Sequence, residues 1–149
     1  MKGEELRILL IEDNDDHAEL VIRSFENNRI TNHLDRVSDG EEALNFLQRK
    51  GKYSESKDPL PHLILLDLRL PKVDGLNVLK QIKKDPITQM IPVVVLTSSN
   101  SQTDIEKSYS HYVNSYLVKP LDFKQFNKLM EDLGYYWLIW NKQPSHQSK

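Results

Sequence analysis

The 149-residue sequence contains no cysteine. Disulfides, thiolate nucleophiles and cysteine-ligated zinc therefore lie outside its chemistry, and a cytoplasmic setting is the simplest expectation. No apolar run is long enough to cross a bilayer, so a membrane span is not expected. The apolar stretch after the opening Met-Lys-Gly-Glu-Glu is too short for the core of a signal peptide, so none is expected. Neither sign of charge is in excess. Twenty basic and 22 acidic residues leave a formal net charge of -2, and nothing in that total points to nucleic acid. There is no internal repeat and no low-complexity tract. What is present is 38% hydrophobic and 28% charged residues, the balance of one soluble globular core. The length suits one domain with little room for a second, so a fused DNA-binding effector is not expected.

Apolar runs alternate with amphipathic segments. Leu6 to Ile11 is short, apolar and followed at once by acids, as a strand would be. Residues 15–27 put Ala18, Val21, Ile22 and Phe25 at i, i+3, i+4 and i+7, one face of a helix. A weak strand is predicted at 33–37. Asp39-Gly40 then opens a helix with Ala43, Leu44 and Leu47 on one side. Residues 51–61 carry turn formers and charges and predict a longer surface loop. Leu63 to Leu66 is a continuous apolar run, as in strands buried on both faces. Leu76, Leu79 and Ile82 mark a helix ending before Asp85-Pro86. Pro92 to Leu96 predicts a central strand, 102–111 a mostly polar helix, and Ser115 to Val118 a last strand. Phe123, Phe126, Met130 and Leu133 define a closing helix. Five βα units in this order predict an α/β fold with parallel strands and right-handed crossovers. The expected architecture is a doubly wound, five-stranded parallel sheet of order 2-1-3-4-5 in a three-layer sandwich, flavodoxin-like in topology.

In such a sheet ligands bind beyond the carboxyl ends of the strands. Glu12 and Asp13 follow the first predicted strand, Asp67 the third, Thr97 the fourth and Lys119 the fifth. The strand order brings these ends to one rim. Each residue alone has an ordinary explanation: Glu12 and Asp13 as loop or capping acids, Asp67 as a turn former, Thr97 as a β-branched strand residue, Lys119 as a solvated charge. Asp15 and Asp16 simply suit the positive start of a helix. Together, the strand-end positions are hard to assign to chance. Three close carboxylates need raised pKa values or a cation among them. Oxygen ligands suit Mg²⁺, with Mn²⁺ as the alternative ion. A metal, a hydroxyl and an ammonium side by side would suit a phosphoryl group.

At these residues the chain resembles the response-regulator receiver family, the CheY-like fold. The resemblance is carried by ILLIEDN (8–14), LILLDLRLPKVDG (63–75), PVVVLTSS (92–99) and YLVKP (116–120). It implies that Asp67 is a phosphoacceptor for a sensor histidine kinase. It implies that Asp13, Asp67 and the backbone carbonyl of Arg69 hold the metal directly, with Glu12 acting through water. Thr97 would follow the phosphoryl group, Lys119 would be its ion-pair partner, and Tyr116 takes the aromatic switch position. A cis peptide is implied at Lys119-Pro120. Such a domain is not an enzyme on outside substrates; it catalyses only its own phosphorylation and dephosphorylation. The long loop and aromatic tail resemble the small regulators paired with phytochrome-type kinases, although Arg69 stands where many of these have a smaller polar residue.

Two enzyme-like or cofactor-binding readings fit less well. A haloacid-dehalogenase-type phosphatase places Asp-x-Asp after a strand, whereas Leu68-Arg69 follow Asp67. A flavodoxin-like cofactor site needs a Ser/Thr- and Gly-rich loop after the first strand, and Glu12-Asp13-Asn14-Asp15-Asp16 would repel a phosphate. A receiver used as a phosphorylation-independent binding module is the third rival, and intact Asp67, Thr97 and Lys119 argue against it. The expected division is a receiver domain over 1–134 and an aromatic extension with a disordered tail over 135–149. Two readings of Tyr135 to Trp140 stay open: packing of Trp137 on its own domain, or a homodimer through the fifth helix and the aromatic tail.

Overall fold

The computed structural model describes residues 6–27, 32–119, 122, 124, 125 and 129. The elements in chain order are β1 (Leu6–Ile11), α1 (Asp15–Asn27), β2 (Asn32–Val37), α2 (Gly40–Gln48), β3 (Leu63–Leu66), α3 (Gly75–Lys84), β4 (Val93–Thr97), α4 (Gln102–Ser110) and β5 (Ser115–Val118). All four strand pairings are parallel and the order is β2-β1-β3-β4-β5, as the alternation of elements predicts. Leu129 is helical and buried, which agrees with a closing helix there. The remainder of that helix's predicted face (Phe123, Phe126, Met130 and Leu133), Pro120 of the expected cis peptide, and the tail 135–149 lie outside the described residues.

Strand β3 is apolar at every position, and β1 and β4 at all but Arg7 and Thr97, because the sheet is covered on both faces. Alternation sorts their side chains. Leu9, Ile11, Ile64, Leu66, Val93 and Val95 pack with Ala43 and Leu47 of α2 and Val78, Leu79 and Ile82 of α3. Ile8, Leu10, Leu63, Leu65, Val94 and Leu96 pack on the other face with Ala18, Val21 and Phe25 of α1, and with Leu129. Helix α4 buries polar residues instead, Asp104 and Ser108. The weak strand at 33–37 gains Asn32 and pairs with β1 along its whole length. The predicted β4 shifts by one residue. Pro92 has no N–H to give, yet its carbonyl accepts from Ile64 N at 3.0 Å just ahead of the strand.

Helix starts are fixed by their caps. Asp39 accepts from Glu42 N, Asp74 from Asn77 N and Ser101 from Asp104 N. The loop after α2 begins as a 3₁₀ turn at Gly51–Tyr53 and is fastened back to the helix. Tyr53 donates to Glu42 at 2.8 Å and meets Phe46 edge-on, with ring centroids 5.0 Å apart. Arg49 donates to the carbonyls of Asp58 and Pro59.

The segment between β3 and α3 is braced most tightly. Lys72 adopts a left-handed backbone, φ 71°, where a side chain is disfavoured. Gly40 at the start of α2 lies against the Val73 carbonyl, and Gly75 lies against the carbonyl of Asp67 and the Cα of Leu68. Neither position has room for a Cβ. Gly75 N donates back to Leu68 O at 2.9 Å, which folds the chain over the end of β3. Replacing Gly75 by alanine is expected to cost about 2–3 kcal/mol by overpacking. Urea unfolding midpoints measure it, and a midpoint matching the parent chain would contradict the close approach.

Candidate functional site

Each sequence-predicted side chain stands at a strand end. Glu12 and Asp13 follow β1 directly, Asp67 follows β3, Thr97 closes β4 and Lys119 follows β5. Parallel pairing keeps the four ends level: Ile11 is beside Leu66, Leu66 beside Val95, and Thr97 beside Val118. The backbone stitches the rim together as well, with Asp67 N donating to Ile11 O at 3.0 Å and Lys119 N to Thr97 O at 2.7 Å.

Lys119 is the centre of charge. Its ammonium lies 3.0 Å from Asp67 Oδ2 and 2.5 Å from Glu12 Oε1. It also lies 2.9 Å from His17 Nδ1, which reaches in from α1. Glu12 is 1% exposed and Asp67 6%. Carboxylates so deeply placed require a partner cation. Burial pushes the Glu12 carboxyl above its ordinary 4.5. The Lys119 bond pulls it the other way, and the neighbouring Asp67 charge adds to the rise. Burial would raise Asp67 too. There it is overcome by hydrogen bonds from Lys119, from the Arg69 N–H and from the Thr97 hydroxyl, so Asp67 is held below its ordinary 3.8. The pKa values of two adjacent acids are thus driven apart, with that of Asp67 the lower.

One carboxylate oxygen each from Glu12, Asp13 and Asp67 fall within 4.8 Å of one another. Three carboxylates and one ammonium leave two negative charges, which matches a divalent cation, and the donors are the hard oxygens that Mg²⁺ and Mn²⁺ prefer. The residues present therefore fit such an ion. Asp13 is exposed, so the cluster opens to solvent on its side. Arg69 donates its N–H to Asp67 Oδ1 at 3.1 Å. Tyr116 is half-buried, and its hydroxyl donates to Ser99 O at 2.7 Å, beside the segment that follows Thr97. The structure thus brings Glu12, Asp13, Asp67, Thr97 and Lys119 to one rim, with the Arg69 N–H on Asp67 and Tyr116 reaching the neighbouring Ser99 carbonyl.

Sequence reasoning missed His17, Ser99 and Asp104. Asp104 joins Arg69 at 2.7 Å and Ser99 at 2.5 Å. A Ser-x-x-Asp pattern at 101–104 is a visible signal, but it points to a helix cap, and only the amide of Asp104 is used that way.

The profile of the response regulator receiver domain matches residues 8–131. A probable methanogenesis regulatory protein, FilR2 of Methanothrix harundinacea, is 47% identical over 92% of this chain and 86% of its own. Response regulator Rcp1 of Synechocystis is 43% identical over 88% of each chain. The Mn²⁺-bound structure of Rcp1 superimposes with a TM-score of 0.77 over 89% of this chain and 94% of that one, at 42% identity. The phosphorylated cyanobacterial phytochrome response regulator RcpA gives a TM-score of 0.78 over 91% and 95%, at 38% identity.

Because Lys119 pairs with both buried acids, replacing it by methionine is expected to raise the titration midpoints of Asp67 and Glu12 together. The linkage has opposite signs for the two. The depressed Asp67 adds stability above its ordinary pKa that is lost as pH falls through its folded value. The raised Glu12 favours the folded state in acid and loses that contribution as pH rises through its folded value. Carboxyl ¹³C shifts in metal-free buffer follow each group, and an unmoved Asp67 midpoint in Lys119→Met would contradict the assignment.

Proposed function

The chain belongs to the response regulator receiver domain family, and from that premise we propose that a carboxylate oxygen of Asp67 accepts a phosphoryl group from a sensor histidine kinase. The observation that carries this reading is the state of Asp67. It is a buried acid kept ionised, with an ammonium 3.0 Å from one oxygen and a backbone donor 3.1 Å from the other.

In the transfer, the P–N bond of the phosphohistidine breaks and its electron pair returns to the imidazole. An Asp67 oxygen supplies the pair for the new P–O bond. The transition state is loose and anionic, so positioning and charge do most of the work. Lys119 moves from neutralising Asp67 toward the incoming oxygens, and the Thr97 hydroxyl turns to donate to one of them. Glu12, Asp13, Asp67 and the Arg69 carbonyl are the groups that would hold Mg²⁺ or Mn²⁺, Glu12 through water, and such an ion supplies further positive charge for the phosphoryl oxygens. The reaction is done on the chain itself, so the product is a signalling state of this protein rather than a released compound.

Once Thr97 bends toward the phosphoryl group, the segment 98–101 loses its present footing. Tyr116 is bonded to Ser99 O in that segment and turns with it. The output is a change in the surface formed by β5 and α4, read by a protein partner. The likeness to RcpA favours a phytochrome-type kinase as donor. The likeness to FilR2 favours a different sensor input, and a phosphotransfer profile against both kinds of kinase discriminates.

Asp67→Asn is expected to reduce labelling by acetyl phosphate, or by a histidine kinase, to background in a Mg²⁺-containing assay. Full labelling of that variant would refute Asp67 as acceptor. Thr97→Ala is expected to accept phosphate and yet lose phosphate-dependent partner binding. If binding stays as phosphate-dependent as in the parent chain, Thr97 is not the coupling residue.

A further inference from the structure

Arg69 is bound twice. Its backbone N–H holds Asp67 Oδ1 at 3.1 Å, while its guanidinium reaches Asp104 Oδ2 at 2.7 Å, in the first turn of α4. That same Asp104 oxygen accepts from the Ser99 hydroxyl at 2.5 Å. The Ser99 N–H faces the Thr97 hydroxyl oxygen at 3.5 Å, and the Thr97 hydroxyl helps to hold the Asp67 carboxyl below its ordinary value. The contacts form a chain from Asp67 through Arg69, Asp104 and Ser99 to Thr97. Its far side is the start of α4, where Ser101 accepts from the Asp104 N–H at 3.1 Å and donates its own N–H to Ser99 at 3.3 Å.

The two halves of the ion pair are unequal. The Arg69 side chain is 65% exposed and that of Asp104 only 11%. A pair so open on one side adds little to stability, so stability alone is a weak reason for it. The exposed partner is free to swing; the buried one is not.

Resting on the reading of Asp67 as phosphoacceptor, we propose that Asp104 is a positioning residue that holds Arg69 in reserve, and that Arg69 exchanges Asp104 for the phosphoryl group once Asp67 is modified. An aspartyl phosphate presents more negative charge and more acceptor oxygens than one carboxylate. It forms on the residue that the Arg69 main chain already grips. Arg69 therefore has a stronger anion within reach without leaving its anchor. Asp104 is then a buried carboxylate without its cation, kept only by Ser99, and such a group gains by moving toward water. Because its own amide belongs to the first turn of α4, that turn moves with it. The exchange carries the charge at Asp67 to the helix start.

The test is calorimetric titration of the full chain with beryllofluoride in Mg²⁺, for the parent, Asp104→Asn, Arg69→Ala, the double variant and Arg69→Lys. Asp104→Asn frees Arg69 and is expected to tighten binding about fivefold, the scale of a coupling between neighbouring sites. Arg69→Ala is expected to weaken binding, and in that background Asp104→Asn should change nothing. Arg69→Lys, which keeps the charge, should bind more tightly than Arg69→Ala. An Asp104→Asn effect of equal size with and without Arg69 overturns the proposal, as does Arg69→Lys behaving like Arg69→Ala. Amide exchange over residues 99–106 is the second readout. It should quicken on beryllofluoride addition in the parent and stay unchanged in Arg69→Ala; quickening in both overturns the exchange. A parent chain that binds no beryllofluoride would instead remove the phosphoacceptor reading itself.

Discussion

A single ammonium held between two buried carboxylates is the constraint on which the site rests. Lys119 comes from the last strand, Glu12 from the first and Asp67 from the third. None of the three is tolerable at its depth without the others. Their pairing lets the sheet end in charge while its body is built of leucine, isoleucine and valine. It also sorts the acids, since the one with more donors keeps the lower pKa. The phosphoryl uptake proposed for Asp67 would use that outcome: an anionic oxygen able to form a bond, beside a cation that can shift to the arriving group.

The surrounding fold turns this pair of contacts into a rigid platform. Parallel strands deliver their C-terminal ends to one edge, so residues far apart in sequence meet without long loops. The segment after Asp67 is the exception to regular structure. It is held by the close approach of two glycines and by the strained backbone of Lys72. Strain of this kind persists only where neighbours over-determine it, and here they do so next to Asp67, the proposed acceptor.

The architecture was largely legible in the sequence because its signal is coarse. Leu63 to Leu66 and the valines of β4 are apolar without alternation, and only burial on two faces accounts for that. Asp67, Thr97 and Lys119 were legible for a topological reason: each directly follows or ends a predicted strand. Boundaries were softer. Asn32 and Thr97 join their strands through pairing with neighbours, which composition does not encode. The contacts made by His17 and Asp104 were not legible. His17 meets a lysine 102 positions away and Asp104 an arginine 35 positions away. Neither contact leaves a local pattern. Asp104 is moreover masked by its place in a helix start, where an acid needs no further reason.

The two-sided apolar sheet has a consequence for how the strands find their alignment. Where one face is wet, a slip by one residue exposes every oily side chain and is rejected at once. Here both faces are dry, so leucine and isoleucine would accept a slipped neighbour almost as readily. What refuses the slip is the polar punctuation at the strand stops. A displaced β3 would drag Asp67 into hydrocarbon or pull it from Lys119, and a displaced β4 would strand Thr97. The groups assigned to the proposed chemistry thus double as the ruler against which the chain is laid down, and on that reading mutation of this edge tampers with assembly and signalling at once.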